Sequence, residues 1–234
     1  MNWTGVIPAI TTCFDEKLAV DHPFMAKHCG WMVDSGCTGI VALGSLGEGA
    51  TLSFKEKLQI LKTLRAALGG PVPLVAAISA LSTTEAVALA KGAADLGCDG
   101  LMVLPPYVYK GDWREMKAHV SSVMSATKLS CMLYNNPVAY GTDFTPLQIA
   151  ELAREHSNLH AVKESSTDVR RITAIRELIS DRLRIFVGVD DAIVEGISAG
   201  AVGWIAGLVN AFPRESVDLF EYAFKGESQR VFEL

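Results

Sequence analysis

The chain has 234 residues, 50% hydrophobic and 20% charged, with a formal net charge of -5. That composition excludes a disordered chain, and the absence of a Lys/Arg block excludes a nucleic-acid footprint. No apolar run approaches the ~18–20 residues of a membrane-spanning helix. Met1-Asn2-Trp3-Thr4-Gly5 lacks a basic region followed by an apolar core, so no signal peptide is expected and the chain reads as cytoplasmic.

Short apolar runs alternate with amphipathic stretches from end to end. The first strand is Gly5-Val6-Ile7-Pro8-Ala9-Ile10, followed by a helix over about 21–35. The second is Gly39-Ile40-Val41-Ala42-Leu43, then a Gly44-Ser45-Leu46-Gly47-Glu48 loop. A helix opens at Ser53, where Glu56 completes capping-box spacing. The third strand, Leu74-Val75-Ala76-Ala77-Ile78, precedes a helix opened by Ser82 and Glu85. The fourth, Gly100-Leu101-Met102-Val103-Leu104, ends in Pro105-Pro106-Tyr107, a poor helix sequence. Asp112 and Glu115 start the next helix. The fifth strand, Ser130-Cys131-Met132-Leu133-Tyr134, runs into Asn135-Asn136-Pro137, and Thr145-Pro146-Leu147-Gln148 caps a helix. The sixth strand ends at Lys163, with a helix from Asp168. Arg184-Ile185-Phe186-Val187-Gly188 is the seventh strand, followed by Asp190-Asp191, read as a helix N-terminal cap. Val202-Gly203-Trp204-Ile205-Ala206 is the eighth, and the last helix runs from Pro213 to about Lys225.

Eight strand–helix units without a linker predict an α/β protein, a (β/α)8 TIM barrel forming one domain over residues 1–234; ~250 residues is typical of that fold. Gly-x-x-Gly recurs between helix and strand at Gly36, Gly97 and Gly200, where a left-handed helix stop is needed. A doubly wound open sheet would want a glycine-rich turn after the first strand, and Pro8-Ala9-Ile10-Thr11-Thr12 is not one. The five cysteines form no CxxC pair and the five histidines no HxH or HExxH spacing. They read as small buried thiols in a reducing compartment, with no metal site.

In such a barrel the strand C-terminal ends converge on one face. Most residues there are small or hydroxylic: Thr11, Thr12, Ser45, Ser79, Tyr107, Tyr134, Gly188 and Ile205, with Lys163 the one cation. A lysine ending a buried strand is costly as a cation and can lose its proton, becoming a nucleophilic amine suited to a Schiff base with a carbonyl substrate. The plainer reading is a lysine that reaches water or pairs with a nearby carboxylate. Tyr134, on the neighbouring strand, is a proton shuttle or else a core tyrosine. The turn at Ser45 offers backbone N–H groups for a carboxylate and a hydroxyl for a proton.

These motifs resemble the dihydrodipicolinate synthase/N-acetylneuraminate lyase family. Gly44-Ser45-Leu46-Gly47-Glu48 with Thr51-Leu52-Ser53 is similar to its Gly-Thr-Thr-Gly-Glu signature region. Pro105-Pro106-Tyr107, Tyr134-Asn135-Asn136-Pro137, Val162-Lys163-Glu164-Ser165 and Gly203-Trp204-Ile205-Ala206-Gly207 follow in the family's order. The resemblance implies a class I mechanism without cofactor or metal. Lys163 would condense with pyruvate or a related 2-oxo acid, and Tyr134 would act as general acid/base. Ser45 would relay protons, with Tyr107 reaching in from a neighbouring subunit of a homotetramer or dimer. The Ser45 and Leu46 amides would bind the carboxylate, with Gly188 and Ile205 also lining the substrate site.

Three departures qualify the match. Ala139 stands where dihydrodipicolinate synthases carry an arginine for the second substrate's carboxylate, a contact worth ~1.5–3 kcal/mol. Leu46 replaces a threonine. The chain stops where the family continues with C-terminal helices, so most of that extension is expected to be missing, in a fragment or a short member. An aldolase for 2-keto-3-deoxy sugar acids therefore leads. A dehydratase or deaminase acting on a related 2-oxo acid or a hydroxypyrroline carboxylate follows, then synthase-like condensation. A non-catalytic 2-oxo acid binder is the reading from another class.

Overall fold

The computed structural model describes residues 1–106 and 108–234. The strands are β1 (Gly5–Pro8), β2 (Ile40–Ala42), β3 (Leu74–Ile78), β4 (Gly100–Val103), β5 (Ser130–Asn135), β6 (Leu159–Glu164), β7 (Arg184–Val187) and β8 (Gly203–Ala206). They form one sheet in the order β1-β8-β7-β6-β5-β4-β3-β2, and every pair between these strands is parallel. Strands β1 and β2 approach through a parallel bridge between Ala9 and Val41 and through Thr38 N–H donating to Val6 O at 2.9 Å. The sheet is therefore a nearly closed (β/α)8 barrel, as the alternation predicts.

The helices are α1 (His22–Asp34), α2 (Phe54–Leu68), α3 (Thr83–Asp95), α4 (Trp113–Met124), α5 (Pro137–Tyr140), α6 (Pro146–Glu155), α7 (Arg170–Ile179), α8 (Ile193–Ser198), α9 (Pro213–Lys225) and α10 (Ser228–Glu233). Ser53, Asp112 and Thr145 each form a full capping box with the side chain three residues on, which satisfies two orphan N-terminal donors apiece. Ser82 caps Glu85 N–H, but the glutamate returns to the serine hydroxyl and not to its backbone. Helix α7 starts at Arg170 and not at Asp168, whose carboxylate instead accepts the Arg170 N–H and guanidinium. The short α5 and the terminal α10 have no counterpart in the sequence reading. Gly36, Gly97 and Gly200 all have positive φ, 106°, 77° and 105°, as the repeated helix stop requires.

The period-two alternation of each strand separates two apolar layers. On β5, Cys131 and Leu133 face the helices while Met132 and Tyr134 face the barrel interior. The interior layer also holds Ile7, Val41, Val75, Ala77, Met102, Ala161, Phe186 and Ile205. Trp3 sits edge-on to Phe186, centroids 6.1 Å apart at 83°. Burial pushes the Cys29, Cys37, Cys98 and Cys131 thiols up to about 12, which keeps them protonated and inert. Among the described residues no helix is long and apolar enough to cross a membrane.

Phe186 occupies space that exists because residue 203 has no side chain. A Cβ on Gly203 would lie 2.2 Å from Phe186 Cε1. Gly203→Ala is therefore expected to lower stability by ~1–3 kcal/mol, the usual cost of overpacking, read as a lower denaturant midpoint. Adding Phe186→Leu should recover part of the loss; an unchanged midpoint in the single variant would show that the ring is free to move.

Candidate functional site

Strands β5 and β6 are in register with Tyr134 opposite Lys163 and Asn135 opposite Glu164. The first pair points inward. Lys163 is 6% exposed and Tyr134 5%, and the lysine Nζ lies 4.0 Å from the centre of the tyrosine ring. Among the described residues Lys163 forms no ion pair, so its positive charge is stabilised by the π face. The phenol oxygen accepts a hydrogen bond from Asn136 Nδ2 at 3.0 Å. Burial alone would raise the Tyr134 pKa. The Lys163 ammonium, together with the Asn136, Lys163 and Ser165 groups that favour the phenolate, outweighs it and draws the phenol below its ordinary value. Ser165 Oγ is fully buried and makes no hydrogen bond of ordinary geometry, so it acts on the phenol as a nearby dipole.

The second pair points outward, into a polar network. Asn135 Nδ2 donates to Asp143 Oδ1 at 3.1 Å and Glu164 Oε2 at 3.2 Å. Arg171 donates to Glu164 Oε2 at 3.2 Å and to both Asp143 oxygens at 2.9 and 3.1 Å. Ser166 N–H donates to Glu164 Oε1 at 2.7 Å. Residues adjacent to the lysine and the tyrosine are thus tied to each other and to α7.

The turn after β2 supplies the opposite wall. Leu43 and Glu48 bracket it at φ 66° and 53°, an uncommon conformation for non-glycine residues. The turn is closed by Glu48 N–H to Ser45 O at 3.0 Å and Gly49 N–H to Gly44 O at 3.1 Å. Thr12 Oγ1 donates to Gly47 O at 2.6 Å and so is committed to holding the turn. Among the described residues the Ser45 and Leu46 amides donate to no acceptor, leaving both N–H groups for an anion. The Ser45 hydroxyl is hydrogen-bonded to the Tyr140 hydroxyl.

Ser45, Leu46, Tyr134, Lys163, Gly188 and Ile205 line one cavity of about 250 Å³, together with Met102 and Asp190. Thr11, Thr12 and Ser79, expected at the same strand ends, do not line it: Thr11 and Thr12 are hydrogen-bonded to Asn210 and Gly47, and Ser79 lines a separate cleft. Tyr107 lies outside the described residues. Gly188 has a steric duty: a Cβ on it would fall 1.8 Å from Ser165 Oγ and 2.7 Å from Lys163 Cε. A cleft of similar volume between α2 and α3, lined by Phe54, Lys57, Leu81 and Glu85, is away from the lysine. No group of three or more His, Cys, Asp or Glu side chains among the described residues is arranged to hold a metal ion.

One sequence reading needs correction. Asp190 does not cap its own helix; its carboxylate accepts from Trp204 Nε1 at 3.0 Å, Gly207 N–H at 3.1 Å and Leu208 N–H at 2.8 Å. It therefore pins the turn after β8 to the end of β7. Sequence reasoning also missed Tyr140, Ser165, Arg171 and the role of Asn136. The one available signal was that Asn136 and Ser165 stand two residues beyond inward-pointing strand positions.

The Lys163 charge is a main reason that Tyr134 ionises early. Ultraviolet titration of tyrosine should show one phenol titrating below the others, and Lys163→Met should move that phase upward. Persistence of the early phase in the variant would assign the shift to Asn136 and Ser165 alone.

The sequence profile of the dihydrodipicolinate synthetase family matches residues 2–234. The 4-hydroxy-tetrahydrodipicolinate synthase of Clostridium perfringens (strain 13 / Type A) is 32% identical over 223 residues, which are 95% of this chain and 76% of that protein. The synthase of the same name from Natronomonas pharaonis is 33% identical over 234 residues, 100% of this chain and 79% of its own. Among solved structures, the chloride-inhibited dihydrodipicolinate synthase from Acinetobacter baumannii complexed with pyruvate superposes with a TM-score of 0.94 at 29% identity, covering 99% of this chain and 79% of that one. An inward lysine and tyrosine paired across adjacent barrel strands, together with a match over nearly every residue, lead to one conclusion: the chain belongs to the dihydrodipicolinate synthetase family, enzymes of the class I, Schiff-base-forming lyase type.

Proposed function

We infer that the protein acts on pyruvate or a related 2-oxo acid through an imine on Lys163, as an aldolase for 2-keto-3-deoxy sugar acids. The observation that carries this reading is the Lys163–Tyr134 pair, with Nζ 4.0 Å from the ring, facing a turn whose two amides have no acceptor. The solved relative complexed with pyruvate supports the choice of 2-oxo acid. The Ser45 and Leu46 amides hold the substrate carboxylate, which sets the ketone carbon before Lys163. The amine attacks that carbon, and loss of water from the carbinolamine leaves the imine. Tyr134, with its phenol drawn toward the ionised form, takes the proton from the C4 hydroxyl. The C3–C4 bond then breaks, the aldehyde leaves, and the electron pair moves into the C2–C3 enamine. Protonation at C3 and hydrolysis release pyruvate and the free lysine. Tyr107 of a neighbouring copy in a dimer or tetramer belongs to the same reading.

The second reading is condensation as in a 4-hydroxy-tetrahydrodipicolinate synthase, favoured by the names of the relatives. Against it, Lys163 is the one cation among the described residues that line the cavity, and Ala139 is exposed on α5. A second carboxylate would then lack a charge-assisted partner worth ~1.5–3 kcal/mol. Dehydration or deamination of a related 2-oxo acid shares the imine and differs in the product.

Incubation with pyruvate and borohydride, followed by intact-mass measurement and peptide mapping, should give one adduct on Lys163. Lys163→Ala should abolish it, and turnover surviving in that variant would sink the mechanism. Tyr134→Phe should cut turnover by ~10²–10⁴-fold, the range for a general acid/base, while circular dichroism stays native. A product screen separates the outcomes: pyruvate marks aldol cleavage, and ammonia or a semialdehyde marks the alternatives.

A further inference from the structure

We propose that Tyr140 is a proton-relay residue of the same protomer, acting through Ser45. This rests on the Lys163 imine reading and assigns a function to a residue that neither the motifs nor the family match singles out.

Three observations converge on Tyr140. Its hydroxyl is hydrogen-bonded to the Ser45 hydroxyl, 95 residues away in sequence. Its ring packs against the barrel's interior layer and stands edge-on to Tyr134, centroids 5.7 Å apart at 89°. The short α5 that carries it is anchored to Tyr134 by one side chain. Asn136 caps α5 by accepting the Ala139 N–H at 3.0 Å while donating to the Tyr134 phenol oxygen at 3.0 Å. Gly141, left-handed at φ 66°, ends the helix just after the tyrosine. The Tyr134 phenol and the Ser45 hydroxyl are therefore both held from α5 and its N-cap residue.

The chemistry follows from what hydroxyls can do. A serine has one proton, and a phenol has one more that is far easier to remove. If Tyr140 donates to Ser45, the serine proton points elsewhere, toward the cavity that Ser45 shares with Tyr134. If Tyr140 accepts, the serine presents lone pairs instead. Reversing that bond moves one proton. A proton taken by Tyr134 from the substrate passes to Ser45 Oγ as the serine proton passes to Tyr140 Oη. The Tyr140 proton leaves to water as the serine proton arrives, so that its oxygen never carries two protons; that side chain is half-buried. Reprotonation runs the same transfers backward, with no net change in any of the three hydroxyls.

The test uses pyruvate alone. The imine of pyruvate exchanges its C3 hydrogens with solvent through the enamine, which proton magnetic resonance follows in D2O. Borohydride trapping reads imine formation separately. Tyr140→Phe keeps the ring and removes the hydroxyl, so trapping at Lys163 should stay within twofold while C3 exchange slows tenfold or more. The variant's alkaline pH profile of exchange should also change, which a packing role would not cause. Because the two hydroxyls act in series, Ser45→Ala/Tyr140→Phe should exchange no more slowly than Ser45→Ala alone. Exchange in Tyr140→Phe within twofold of wild type, or single losses that multiply in the double variant, would overturn the relay. Wild-type protein that forms no pyruvate adduct would overturn the imine reading and the relay with it.

Discussion

The site depends on one register. Strands β5 and β6 pair so that Tyr134 faces Lys163 and Asn135 faces Glu164. Because side chains alternate with a period of two, a slip by one residue would turn every side chain of a strand to the opposite face. A slip of β6 alone would turn Lys163 outward and leave Tyr134 facing Val162 or Glu164. The two pairs also divide the electrostatic work. Inside, Lys163 has an aromatic face and an ionisable phenol for company and, among the described residues, no ion-pair partner. Outside, Glu164 is equally buried but shares the Arg171 guanidinium with Asp143. Leaving one buried carboxylate without its cation costs ~3–5 kcal/mol, so the outward network is a strong restraint on the inward geometry. A lysine paired to Glu164 would be a salt bridge; a lysine one residue away, denied that partner, is available for chemistry.

The rest of the cavity is built by removing atoms and donors from the usual pattern. Gly188 leaves room for the lysine stem and for Ser165. The turn after β2 holds Leu43 and Glu48 at positive φ, which costs of order 1–3 kcal/mol at each non-glycine position. That conformation leaves the Ser45 and Leu46 amides with no acceptor among the described residues. Asp190 fixes the facing turn by accepting from Trp204 Nε1 on β8 and from the Gly207 and Leu208 N–H groups just after it. Rigid walls around unsatisfied donors are what a preorganised anion site requires, because no reorganisation is needed when the substrate arrives.

Most of the barrel was legible in the chain because strand ends, caps and glycine stops are local signals. Ser53, Asp112 and Thr145 announce their helices within four residues, and Lys163 is conspicuous as the one cation among small strand-end residues. What escaped is tertiary. Helix α5 spans four residues, less than two turns, so it carries no periodicity. Tyr140 matters because of a serine 95 positions earlier, and nothing near it in sequence says so. Asp190 has the residue type and position of a helix cap, yet the indole and backbone donors from β8 and the turn after it compete for the same oxygens and win. Ser165 looks like one of two serines opening a helix, and its burial beside the phenol appears only once β6 is placed against β7.

The distribution of charge in the cavity limits what the second half of a substrate can be. In the proposed reaction one carboxylate sits at the Ser45 and Leu46 amides, with the ketone beside it before Lys163. Beyond them the described walls include Ala9, Met102, Leu46 and Ile205, with the Asp190 carboxylate holding three donors of its own. A second anionic group there would meet apolar surface and a carboxylate, and would keep its desolvation cost without a compensating cation. An uncharged or hydroxylated tail meets no such penalty, and Leu46 and Ile205 offer apolar wall for its carbon skeleton. Under the proposed mechanism, discrimination between the two depends less on an added attraction than on a missing one, because the scaffold and the imine chemistry would be common to both. Under the aldolase reading proposed above, Ala139, exposed on α5, supplies no cation for a second carboxylate, while the lysine–tyrosine pair stays in place.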